Sequence, residues 1–429
     1  MSGSRETGCD EYKALSRRQF LSGTVKGAVV ASFIPAWIPK VAFASSDSSS
    51  RDVIVSIFGR GAFDGLTLCV PYGEAAYYRA RPTIAIAPPS STDPNSAVDL
   101  DGFFGLPPAM SALLEAYQSK NLLLVHGAGS VASSHSHFDA QRYMEVGKPE
   151  DLSLTTGWLG RHLATAPPFL ANAPLRALSL ANALPTTLAG SPLALPVPNP
   201  ASFGLGGASA TRAERVQWLS DVYGAVDDPV KAAAENTTRT FNLLARIGFS
   251  TYKPSGGAVY PPNGFGNALK SAAALIKAQV GVEAIHIDIG GWDTHSSQGP
   301  VSGGMATNMK TLAGALAAFH ADIASGTVTN VTTAVVSEFG RTVHENASKG
   351  TDHGHGNVMF LMGSHIDGGR VLAKWPGLDL DQLYLKQDLQ VTIDYRDILA
   401  EVVQKRLGNS ALSSVFPDHS PKFYGVTKA

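Results

Sequence analysis

Three short apolar runs rich in β-branched residues, 284–289, 331–336 and 358–362, each border a turn crowded with carboxylates and imidazoles. The turns read Asp288-Ile-Gly-Gly-Trp-Asp293-Thr-His295, Ser337-Glu338-Phe-Gly-Arg341-Thr342 and Thr351-Asp352-His353-Gly-His355-Gly-Asn357. Runs of this length and composition fit buried strands. Charges at buried strand ends are costly unless they are paired or meet a cation. Open α/β sheets collect ligands at those ends, so the three loops imply one shared polar pocket.

The rest of the chain supplies the alternation such a sheet needs. A first strand is expected over 52–58, ending in Gly59-Arg60-Gly61-Ala-Phe-Asp64-Gly65. That spacing is not the dinucleotide fingerprint, but it sets Asp64 where a first-strand carboxylate enters the pocket. A helix over 107–119 and a strand over 121–125 lead to Ser133-Ser134-His135-Ser136-His137-Phe138-Asp139. Two imidazoles flanking a hydroxyl fit an active-site loop; equally, Ser134 or Ser136 caps a helix over 138–146. Further helices are expected over 211–247 (caps at Thr211 and Asp227), 263–279, 301–325 and 394–407, the last capped by Asp394. The pattern predicts an α/β fold, a largely parallel sheet with helices on both faces. Residues 165–262, irregular or helical, are expected as an insertion or cap, since long irregular stretches tend to be lids.

At 429 residues, 44% hydrophobic and 16% charged, the chain can bury one large domain. A formal net charge of −1 offers no field for a phosphate backbone, which excludes nucleic acid as an expected partner. Near the N-terminus Ser16-Arg17-Arg18-Gln19-Phe20-Leu21 precedes a mild apolar segment, 25–38, and the small-x-small triplet Ala42-Phe43-Ala44. This order resembles a twin-arginine export signal, so residues 1–44 are expected to be a leader and 45–429 a single mature domain. Its removal takes six basic and three acidic residues, leaving 28 and 32 and a net charge of −4. The resemblance implies the twin-arginine translocase as a partner during export and a periplasmic or secreted product. No run elsewhere reaches the roughly 18 apolar residues of a membrane span. Of the two cysteines, Cys9 falls in the leader, so Cys69 has no partner for a disulfide in the mature chain.

Carboxylates mixed with imidazoles suit a divalent cation of borderline hardness, zinc or manganese, with magnesium or calcium as the oxygen-only alternatives. The candidate ligands are Asp64, Asp288, Asp293, His295, Glu338, Asp352, His353 and His355. They exceed the needs of one ion, so one or two are expected. Arg341 either pairs with a substrate oxyanion or orients Glu338 or Asp352 through a salt bridge; Trp292 is read as packing.

Together the leader, the loop 59–65, Ser136-His137-Phe138-Asp139 and the three ligand-dense turns resemble the bacterial family of unknown function 1501, which in turn resembles the alkaline phosphatase-like superfamily. The resemblance implies a hydroxyl nucleophile after the second strand, for which Ser136 stands with His137 beside it, and metal ligands at Asp64, Asp293 and His295. Two departures bear on the metal: Asp293-Thr-His295 is a shorter step than the superfamily's, and Glu338-Phe339 lacks its histidine. Cys69-Val-Pro71-Tyr-Gly73 carries glycine where a formylglycine sulfatase needs arginine, which disfavours that chemistry.

The expected function is an exported metal-dependent hydrolase of a small anionic phosphate or sulfate ester, with Ser136, His137 and Arg341 catalytic. The alternative is a non-catalytic exported binding or assembly protein on a phosphatase-like scaffold. A Ser-His-Asp esterase is weaker, because no Gly-x-Ser-x-Gly elbow occurs.

Overall fold

The computed structural model describes residues 51–428 other than 205, 206, 208 and 225–229; the leader and the cap expected at Asp227 lie outside the described residues. Among the described residues nine strands form one sheet: β1 (Val53–Gly59), β2 (Leu122–Gly129), β3 (Ala177–Ser179), β4 (Ala194–Pro196), β5 (Ala284–Ile289), β6 (Val331–Ser337), β7 (Asn357–Met362), β8 (Arg370–Ala373) and β9 (Ile393–Asp394). Their order is β8-β2-β7-β6-β1-β5-β3-β4, with β9 pairing farther along β2.

Side chains of β1 alternate between two apolar cores, as the two-residue period of a strand requires. Val53, Val55 and Ile57 pack with Leu269 and Leu275 of α3 (Gly264–Lys277) and Met309 and Leu316 of α4 (Gly304–Ala324). Ile54 and Phe58 face the other way, toward Leu159 of α2 (Trp158–Thr165) and Ile398 and Val402 of α5 (Tyr395–Lys405). Helices therefore cover both faces, and the central strands are buried along their whole length. Short polar residues start the helices: Asn263 Oδ1 accepts from Gly266 N (2.9 Å) and Asp394 Oδ1 from Arg396 N (2.9 Å).

One strand departs from the parallel pattern, and its direction creates the pocket. β1 runs parallel to β5 and β6, so Gly59, Ile289 and Ser337 are register partners at one edge. β7 runs antiparallel to both β6 and β2. Its beginning, not its end, therefore lies at that edge, beside the end of β2. The loops 59–65, 130–137, 290–298, 338–342 and 350–356 all gather there.

The 165–262 stretch behaves differently from the expected insertion. Two of its segments, β3 and β4, continue the sheet outward from β5 in parallel, Ala177 opposite Ala284. Three residues each are too few for a hydrophobic period to show. Helices 212–224 and 230–246 follow in the same stretch. No helix among the described residues is long and apolar enough to cross a membrane.

Candidate metal centre

Trp292 fixes the first element of the site. Its indole is fully buried, edge-on to Phe63 at 4.6 Å, and its Nε1 donates to Ile289 O (3.0 Å). Asp293 follows directly and is half exposed, with 46% of its side chain accessible. Arg341, with a buried guanidinium, clamps the loops around it. Nε donates to Ala62 O (3.1 Å), Nη1 to Thr351 O (3.1 Å), and Nη2 to Trp292 O (3.1 Å), Asp293 Oδ1 (2.7 Å) and Gly61 O. Gly354 permits this packing, since a Cβ there would fall 2.4 Å from the Arg341 carbonyl carbon.

Three imidazoles converge on Asp293 Oδ1. His295 Nε2 lies 3.0 Å away, His353 Nε2 3.3 Å and His137 Nε2 3.6 Å. Each ring is held from behind at Nδ1: His295 by Asp352 Oδ1 (2.9 Å), His353 by the carbonyl of His135 (2.8 Å), and His137 by Glu338 Oε1 (2.9 Å). All three partners are acceptors, so each neutral ring carries its proton on Nδ1 and turns a bare Nε2 lone pair toward Asp293. His137 Nε2 has no hydrogen-bond partner, and the Nε2 atoms of His295 and His353 face one another at 3.0 Å. A cation among them would satisfy lone pairs that otherwise face a carboxylate and one another.

The donor set fits a divalent metal. The three ring nitrogens lie 3.0–3.6 Å from Asp293 Oδ1, and those of His295 and His353 3.0 Å apart, near the ~3.4 Å edge of a tetrahedron built on ~2.1 Å bonds. His137, Asp293 and His353 each offer a ligand atom, all within 4.8 Å of one another, and His295 touches two of the three. Carboxylates or carbonyls behind the ligating imidazoles are the usual means of orienting a metal site. Exposure of His295 (43% of its side chain) and Asp293 leaves one side open.

Electrostatics agree with this arrangement. Burial works against the charged form of Asp293, but the Arg341 guanidinium, bonded to it at 2.7 Å, outweighs burial and holds the carboxyl below its usual range. The hydrogen bond from His295 does the same for Asp352. Burial pushes the His353 imidazole down, favouring the neutral ring that a metal requires.

Of the expected ligands, Asp293, His295 and His353 meet at the centre. Glu338 and Asp352 stand one layer back, orienting His137 and His295. Glu338 is completely buried and also accepts from Gly61 N (2.8 Å), Gln141 Nε2 (2.9 Å) and Ser337 Oγ (2.8 Å). Asp64 is elsewhere: fully buried, it is committed to Arg81 (2.6 and 2.9 Å), Thr67 Oγ1 (2.6 Å) and Gln298 Nε2 (2.7 Å). Asp288 pairs with Arg60 Nε (2.9 Å) and His286 Nε2 (3.1 Å). His355 stacks on Tyr384 at 4.3 Å, away from the cluster.

Among the residues expected to be catalytic, His137 turns its Nε2 toward Asp293 while Glu338 holds its Nδ1. Ser136 is exposed and caps α1 (His137–Val146), its Oγ accepting from Asp139 N at 3.4 Å. Arg341 binds backbone carbonyls and Asp293, so its fork is not turned to a substrate anion. Gln141, and the carbonyl of His135, carried no sequence signal.

A search of the curated proteins finds no match. A family model described as "Protein of unknown function (DUF1501)" matches residues 151–411, well over half of the chain, and the chain belongs to that family.

Proposed function

We propose that this protein is an exported metal-dependent hydrolase of phosphate or sulfate esters, with a divalent cation, zinc or manganese, held by His137, Asp293, His295 and His353. The observation that carries the reading is the convergence of three Nδ1-anchored imidazoles on one half-exposed carboxylate oxygen. When bound, such a cation polarises an ester oxygen and offsets the charge that builds on it. Ser136, exposed and directly before a ligand residue, is the candidate nucleophile. The first turn of α1 adds its free N–H groups and positive end on the same side, which favours an anionic group there. Arg341 and Glu338 act as positioning residues, setting Asp293 and His137. Export through the twin-arginine route belongs to the same proposal and rests on the sequence of the leader.

Protein dialysed against zinc or manganese should retain metal and cleave an aryl phosphate or aryl sulfate. Asp293→Asn and His353→Ala should lose the ion held at this centre together with turnover, whereas Ser136→Ala should keep that ion and lose turnover. Equal rates and equal metal content in all four proteins would remove this site from the chemistry.

A further inference from the structure

We propose that His135 and Asp388 form a second divalent-cation site beside the first. Asp388 closes a tight hairpin: Tyr384 N donates to Asp388 O (2.8 Å) and Asp388 N to Tyr384 O (3.0 Å). Two residues in its turn, Leu385 and Lys386, adopt φ of +50° and +59°, a left-handed pair without glycine. Left-handed backbone is uncommon outside glycine, and strained backbone of this kind clusters at functional sites. The hairpin also bridges to Thr342, next to Arg341, so Asp388 is fixed against the loops of the first centre.

Among the described residues, the carboxylate so placed meets a single basic side chain, His135. The Asp388 side chain is 1% exposed, and neither Oδ1 nor Oδ2 accepts a hydrogen bond. The basic group, His135 Nε2, lies 3.4 Å from Oδ2. Burial pushes the carboxyl up to about 6, partly offset by His135. A buried carboxylate without donors is costly and persists where a cation meets it.

The separation itself suits one. An imidazole nitrogen and a carboxylate oxygen 3.4 Å apart span the edge of a tetrahedron with ~2.1 Å bonds. His135 is 40% exposed at its side chain, which leaves an approach for the ion and room for water or a substrate oxygen. Burial also pushes the nearby His355 imidazole down to about 4, so it adds no competing cation. Residue 135 links the two sites, because its carbonyl holds His353 Nδ1 while its imidazole faces Asp388. The inference thus rests on the first centre being a metal site, and an anionic ester bound there would meet positive charge from two directions.

Elemental analysis after equilibrium dialysis against zinc or manganese tests it without reference to turnover. The full-length protein should hold two ions per chain, Asp388→Asn and His135→Ala one each, and Asp293→Asn one. Metal-free Asp388→Asn should melt no lower than the parent, because it removes an uncompensated charge; this shows that a lost ion is not lost fold. Two ions in Asp388→Asn, or one ion in the parent that only Asp293→Asn loses, overturns the second site and leaves the first. No ion in the parent overturns both.

Discussion

Glu338 Oε1 stands 2.9 Å from Nδ1 of His137 while also accepting from Gly61 N and Gln141 Nε2, so one buried carboxylate oxygen orients the His137 ring and ties β6 to the first loop. Glutamine can keep an oxygen in that place and turn its amide toward Ser337 Oγ. Glu338→Gln is therefore expected to fold, but with a less basic His137. Metal affinity should fall roughly 10- to 100-fold, the usual effect of losing a carboxylate behind a ligating histidine. Competitive titration against a chromophoric chelator reads it; unchanged affinity would show that His137 is not a ligand.

Arg341→Lys tests whether that arginine is a clamp or an anion binder. Its planar fork serves four backbone carbonyls and Asp293, which one ammonium cannot reproduce. The substitution leaves buried carbonyls unpaired, at about 1–3 kcal/mol each, and folding stability should fall by at least that much in urea unfolding. A raised KM with an unchanged urea midpoint would restore the substrate role.

For Asp64→Asn the expected loss is also about 3–5 kcal/mol, because Arg81 would remain buried without its counter-charge. Metal content should not change. Loss of bound metal at preserved stability would return Asp64 to the ligand set.

Acid should weaken the metal-free protein before most of its carboxylates titrate, with Asp388, pushed up to about 6, acting in the opposite sense. Burial pushes His126 down to about 4, His162 to about 3 and His355 to about 4. Each lies below the ordinary histidine value of ~6.5, so the unfolded chain takes the proton first. Stability is thus fully present above that value and declines as pH falls from ~6.5 toward 4, by at most ~1.4 kcal/mol per pH unit for each ring. Urea midpoints at pH 7, 6 and 5 measure the slope. His126→Asn should flatten it by one proton, and an unaltered slope would mean that His126 is already charged in the fold.

How far the site could be read from residues follows from what each kind of signal records. The runs at 284–289, 331–336 and 358–362 announced β5, β6 and β7, because uninterrupted apolar β-branched segments have few other folded uses. Asp394 announced its own helix, since a short acceptor before an amphipathic run satisfies free N–H groups locally. The strands β3 and β4 left no trace: three residues show no period, and their pairing depends on the distant β5.

The set of charged loops was legible; its internal division of labour was not. Asp64, Asp288 and Asp293 are the same chemical group, and what separates them is whether Arg81, Arg60 and His286, or three imidazoles surround the carboxylate.

The residue order by itself determined the buried strands, the helices between them and the gathering of carboxylates and imidazoles into a few turns, all of which follow from local period and local hydrogen-bonding capacity. Tertiary structure alone decided that β7 runs against its neighbours, that His137 turns Nε2 toward Asp293, and that Asp388 is buried without a donor. Those outcomes depend on strand direction and on contacts between residues tens to hundreds of positions apart, which no local pattern encodes.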